Sequence, residues 1–179
     1  MKNVLFAFLM ALISVSANAQ RKGDFAVGLR GGPSIARFEL SGEKESYTRW
    51  GAGAFAQYNL SNSLRFDLDA IYHPKKDGLS DITAGLNLQY LVDVADAVKV
   101  YPLVGYAIAF VHEDGYYYDN GHGVIIEHDS ENESDGGIQL GAGIQCNLGD
   151  NWFLSGEYRF QPGILGDCHV ILASIGFRF

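Results

Sequence analysis

Long apolar runs are the first thing this sequence lacks. Beyond residue 19 no stretch approaches the ~18–20 consecutive apolar residues of a membrane-spanning helix, so helical passage through a bilayer is not encoded. Cations are also scarce. With 13 Lys and Arg against 21 Asp and Glu, the formal charge is −8, which argues against nucleic-acid binding by phosphate neutralisation and against polybasic adhesion to anionic lipid. Cysteine is limited to Cys146 and Cys168. Regular calcium-loop spacing is missing, and nothing in the pattern asks for a cofactor or a structural metal.

What is present begins with a leader. Lys2 supplies a positive start, Val4 to Val15 an apolar run, and Ala17-Asn18-Ala19 a small-x-small cleavage site. Residues 1–19 are therefore read as a cleaved signal peptide and 20–179 as one domain. The apolar run is too short to stay behind as a spanning helix. Removal of the leader leaves 12 basic residues against 21 acidic ones.

Period two dominates the domain. Eight segments alternate, at about 23–30, 50–60, 64–73, 80–91, 98–111, 137–148, 152–161 and 168–179, and each reads as a strand. One parity is apolar throughout, as in Leu64, Phe66, Leu68, Ala70 and Tyr72, or Ile82, Ala84, Leu86, Leu88 and Tyr90. No Asp, Glu, Lys or Arg falls on it. The other parity is polar or small, with exceptions at Phe55, Leu103, Ala107, Ala109, Val170 and Leu172.

A soluble sandwich or lipocalin-like barrel would share this alternation. Aromatic placement separates the cases. On the apolar parity Tyr58, Phe66, Tyr90, Trp152, Phe177 and Phe179 gather at one end, and Trp50, Tyr72, Phe110 and Phe160 at the other, as two interfacial girdles of a bilayer would require. Connections agree: 61–63, 93–97 and 149–151 are short, whereas 31–49 and 112–136 are long. The expected fold is all-β, an eight-stranded antiparallel up-and-down transmembrane β-barrel in the outer membrane of a Gram-negative-type cell. Cys146 and Cys168 would then lie near opposite ends of their strands, beyond the ~7 Å Cα reach of a disulfide, as free thiols.

Together with this alternation, Val100-Tyr101-Pro102-Leu103-Val104-Gly105-Tyr106 and the terminal Ile175-Gly176-Phe177-Arg178-Phe179 resemble the small outer-membrane β-barrel family typified by the OmpA and OmpX barrels. The resemblance covers the whole mature chain. It implies that Phe177 and Phe179 form part of an assembly signal read by the barrel-assembly machinery. It is specific for the fold and not for function, because members of that family serve as anchors, adhesins, defence factors and narrow channels.

Two sets of residues carry the functional expectations. The inward parity places Arg30, Arg65, Lys99, Arg159 and Arg178 against Asp24, Asp67, Asp69, Asp81 and Glu157, a balanced ionic network expected to plug so narrow a barrel. The connection 112–135 holds Glu113, Asp114, Asp119, Glu127, Asp129, Glu131, Glu133 and Asp135 and no base, an extracellular acidic tip. Within it Tyr116, Tyr117 and Tyr118 and Val124-Ile125-Ile126 flank an Asn-Gly, which suggests a projecting hairpin. Such a hairpin either meets an extracellular partner by strand addition or is a rigid loop.

The expected role is a non-enzymatic barrel anchoring extracellular loops for surface interaction or envelope integrity, with outer-membrane lipid and lipopolysaccharide as its surroundings. A narrow solute or ion channel is the alternative. A lipid A-modifying enzyme is less favoured, because outward His169 has no nucleophile and acid beside it in the pattern.

Overall fold

The computed structural model describes residues 22–40, 43–119, 125–128, 130–164 and 167–179; the leader read from the sequence lies outside them. Eleven strands form: β1 (Phe25–Leu40), β2 (Glu43–Asn59), β3 (Leu64–Lys76), β4 (Leu79–Tyr90), β5 (Val92–Ala95), β6 (Val98–Glu113), β7 (Tyr116–Asp119), β8 (Ile125–His128), β9 (Glu131–Leu148), β10 (Trp152–Gln161) and β11 (Asp167–Arg178). Eight of them, β1 to β4, β6 and β9 to β11, pair each with the next, and β11 pairs back onto β1. All these pairings are antiparallel, so the sheet closes and leaves no edge at membrane depth, where an unpaired backbone group costs several kcal/mol.

Register fixes the shape of the barrel. Followed from Phe25 through Tyr58, Phe66, Leu88, Val104, Leu140, Phe160 and His169, the cross-strand partners return to β1 at Ile35, ten residues further along. Eight strands with a stagger of ten tilt by roughly 40° to the axis, within the usual 35–45° of barrels.

Alternation sends every second residue inward. In β3, Arg65, Asp67, Asp69, Ile71 and His73 are buried while Phe66, Leu68, Ala70 and Tyr72 face out. The apolar girdles follow from register. At the turn end Phe25 lies 6.1 Å from Phe179, and Trp152 5.1 Å from Phe177, ring centre to ring centre. At the other end Trp50, Tyr72 and Phe110 are exposed, and Phe160 lies 5.1 Å from the His169 ring.

Phe55, one exception to alternation, has a packing reason that two further inward rings share. Phe55, Tyr101 and Phe153 point into the lumen, and each stands directly opposite a glycine of the neighbouring strand: Gly28, Gly143 and Gly176. A Cβ on Gly143 would come within 2.4 Å of the Tyr101 ring, and one on Gly176 within 2.2 Å of Phe153. The missing side chain is what admits the ring, and the ring fills the space the glycine leaves.

Two long connections are shorter than the sequence suggests. Residues 31–40 and 43–49 continue β1 and β2 as a paired ladder out to Leu40 and Glu43, rather than forming a loop. Likewise β6 runs on to Glu113 and β9 starts at Glu131, paired residue for residue. Backbone groups that would have needed water are paired instead. The tyrosine-rich segment does make a hairpin, with Tyr116 opposite His128 and Asp119 opposite Ile125.

Candidate functional site

Two regions hold the chemistry, a filled lower and middle lumen and a hollow outer mouth. In the middle, Arg30 of β1 donates from Nη1 and Nη2 to Asp67 of β3, at 3.0 and 2.7 Å, and from Nη1 to Asp69 at 3.0 Å. Arg159 of β10 donates to Asp69 at 2.9 Å and to Glu157. Gln57 and Asn87 add donors to Asp67 at 2.8 and 3.3 Å. All these side chains are buried, and each charge is paired, which is what makes the cluster tolerable.

Below this layer amides replace carboxylates. Arg65 gives its Nε to Gln89 at 2.8 Å and its Nη1 to Gln145 at 2.7 Å, and its guanidinium sits 5.2 Å from the Tyr101 ring centre. Tyr101 donates its hydroxyl to Glu157 at 3.0 Å, linking the two layers. Lower still, Gln145 and Arg178 both donate to Asn147, each at 2.9 Å, and Arg178 lies over Phe153. With Gln89 Nε2 donating to Glu157 at 3.2 Å, one hydrogen-bonded chain runs from Arg178 to Arg30.

The ten inward charges expected from sequence do not form a single ionic set, and Asp24 is half-buried just before β1. Arg30, Asp67, Asp69, Glu157 and Arg159 come together as ion pairs. Arg65 and Arg178 join them only through neutral amides. Lys99 pairs at the turn end with exposed Asp93, which belongs to the short extra strand β5. Asp81 stands apart at the outer mouth, held by Arg49 and by His73, whose Nδ1 donates to it at 2.8 Å. Parity alone gives facing and not depth, which is why these residues look equivalent in the sequence.

Arg49 is the cation that sequence reasoning placed in a loop. It is inward and largely buried because β2 begins at Glu43. The amides Gln57, Gln89, Asn87, Gln139 and Gln145 were also passed over, although inward parity already marked them; their role is to carry hydrogen bonds between charges.

Above Asp69 and Arg159 a cavity of about 380 Å3 opens at the mouth. Its walls include apolar Ile71, Val111, Ile164 and Val170 together with charged or polar Arg49, His73 and Asp81. Cys168 lines it too, with its thiol 3.1 Å from the Ser34 hydroxyl; it and Cys146 are free. Outside, the Tyr158 hydroxyl meets His169 Nδ1 at 2.7 Å on the aromatic girdle.

Of the extracellular set, Glu131 and Glu133 are exposed on β9. Tyr116, Tyr117, Tyr118 and Glu127 lie on the β7–β8 hairpin by backbone, and Asp129 lies outside the described residues.

A closed eight-stranded barrel with an apolar girdled exterior and a hydrogen-bonded polar interior is a transmembrane barrel of the bacterial outer membrane. The chain belongs to the outer membrane protein beta-barrel domain family, whose model matches residues 6–179. Among solved structures it is similar to the N-terminal β-barrel domain of Pseudomonas aeruginosa OprF, at 14% identity and a TM-score of 0.64, covering 89% of this chain and 100% of that one. Neisserial surface protein A is similar at 17% identity and a TM-score of 0.62, covering 88% and 100%. Ail, the attachment invasion locus protein of Yersinia pestis, matches at 17% identity and a TM-score of 0.50, covering 88% and 99%. No curated protein sequence matches the chain.

Proposed function

We propose that the chain is a non-enzymatic anchor in the outer membrane, holding its projecting hairpins out for contact with an extracellular partner or for envelope integrity. The observation that carries this reading is the filled lumen. Arg65, Gln89, Gln145, Tyr101 and Asp67 are at most 2% exposed and bonded across the barrel to one another or to Glu157 and Arg30, leaving a conducting solute to break a buried charged layer. An eight-stranded barrel is only just wide enough for its own side chains. Assembly through Phe177 and Phe179 by the barrel-assembly machinery, and cleavage after Ala19, belong to the same reading.

Planar-bilayer recording tests it. The purified barrel is expected to give no unitary current. Reproducible single-channel steps would favour the narrow-channel reading instead.

A further inference from the structure

The outer mouth is hollow for a reason that can be traced to side-chain size. Stagger and strand number hold the barrel to one width, yet Ser34, Ala36, Gly85, Cys168 and Val170 stand at the mouth where Arg65, Tyr101, Gln89 and Gln145 fill the lower lumen. The cavity of about 380 Å3 that remains is near the lower end of the roughly 300–1,000 Å3 of ligand pockets. Its occupant must be small.

Its lining is both apolar and charged. Ile71, Leu79, Val111, Ile164 and Val170 offer apolar surface. Among them, one carboxylate holds two basic side chains: Asp81 takes Arg49 on Oδ1 and His73 Nδ1 on Oδ2, with Thr83 also donating to it at 3.1 Å. Among the described residues, Arg49 bonds only through Nη2 and His73 only through Nδ1, and Arg49 Nε is buried without a hydrogen-bond partner. Of the cavity's other carboxylates, Asp69 takes Arg30 and Arg159 on Oδ2 while its Oδ1 is buried without a hydrogen-bond partner, and Asp77 accepts from the Tyr47 hydroxyl at 3.0 Å.

A carboxyl head matches this pair better than other heads. One oxygen accepts from the Arg49 guanidinium, whose fork suits a carboxylate. The second shares a proton with His73 Nε2, which is an acceptor when the ring is neutral and a donor when it is charged. An alcohol has one oxygen for two sites, and an ammonium offers no acceptor to the Arg49 guanidinium.

We infer that the outer-mouth cavity binds a small carboxylate amphiphile, with the carboxyl on Arg49 and His73 and the apolar body against Ile71, Val111 and Val170. The site lies above the filled layer and does not depend on whether the hairpins meet a partner.

Cys168 is a built-in reporter, because it lines the cavity and Cys146 is the only other thiol. With Cys146→Ser in phospholipid nanodiscs, methylthiolation of Cys168 by methyl methanethiosulfonate is timed alone and with hexanoate, hexanol or hexylammonium. Hexanoate is expected to slow the reaction several-fold, and the other two to change it little. In Arg49→Gln, with each rate taken relative to that variant's own ligand-free rate, the protection by hexanoate should disappear, with heat-modifiable gel mobility checking the fold. The inference is overturned if hexanoate gives no protection at tens of millimolar, if hexylammonium protects equally, or if Cys168 is inert without ligand and the cavity is closed to solution. The three-ligand comparison needs no altered site residue, so it decides even if Arg49→Gln fails to fold.

Discussion

Arg30 and Asp67 face each other fork to fork inside the barrel, Nη1 to Oδ1 at 3.0 Å and Nη2 to Oδ2 at 2.7 Å, tying β1 to β3 across the intervening β2. Neither strand pairs with the other through its backbone. The side chains supply a cross-brace that the sheet does not.

Breaking that brace from one side should be costly. Arg30→Met leaves a buried Asp67 with only Gln57, Asn87 and a longer contact to Arg159, and is expected to lose about 3–5 kcal/mol. Arg30→Met with Asp67→Leu should lose less than the two single changes together. Urea titration in lipid vesicles, followed by Trp fluorescence, measures both; strict additivity would count against a coupled pair.

Leu68 and Leu86 are direct cross-strand partners on the lipid face, 56% and 52% exposed. Arg at either, near the bilayer midplane, should cost about 2–4 kcal/mol, and the two costs should be close because direct partners on strands tilted by roughly 40° differ in depth by only about 3 Å. A negligible cost in the same titration would place this face away from hydrocarbon.

Gly143→Val tests the fit of ring over glycine. The added carbons collide with Tyr101 and push its hydroxyl off Glu157, for an expected loss of about 1–3 kcal/mol. Tyr101→Leu in the same chain should recover part of it. No recovery would mean that the strand backbone, and not the ring, carries the strain.

Phe179 is 70% exposed, its ring lies against Phe25 and Phe177 in the lower girdle, and its backbone N–H donates to the Phe25 carbonyl at 2.9 Å. Deleting it should reduce the folded fraction in the outer membrane of cells while costing the refolded barrel no more than about 1.5 kcal/mol. Normal assembly in cells would remove its role as a signal.

The architecture was legible because a barrel writes its two faces into alternate residues. Strand number, facing and both girdles could be read at positions such as Leu68 and Tyr72. Strand ends were not. Gly31-Gly32-Pro33 interrupts the apolar parity without interrupting the ladder, where Pro33 pairs opposite Trp50, so β1 and β2 looked short. The lumen was legible only by sign: Asp81 and Asp67 share a parity, but Asp67 pairs opposite Asn87 and Asp81 opposite His73, six residues further along the same ladder, which puts them in separate clusters. Arg49 was lost with the end of its strand, and with it the mouth cavity.

The β6–β9 ladder has a mechanical consequence. It is paired without a break from Val98 opposite Cys146 to Glu113 opposite Glu131, 16 residues where a tilted crossing needs roughly 9–11. About five paired residues on each strand therefore stand clear of the hydrocarbon as a mast continuous with the wall. The acidic Glu131 and Glu133 are carried at a set height on a stiff support, so whatever approaches them from outside meets a fixed target and not a tethered one.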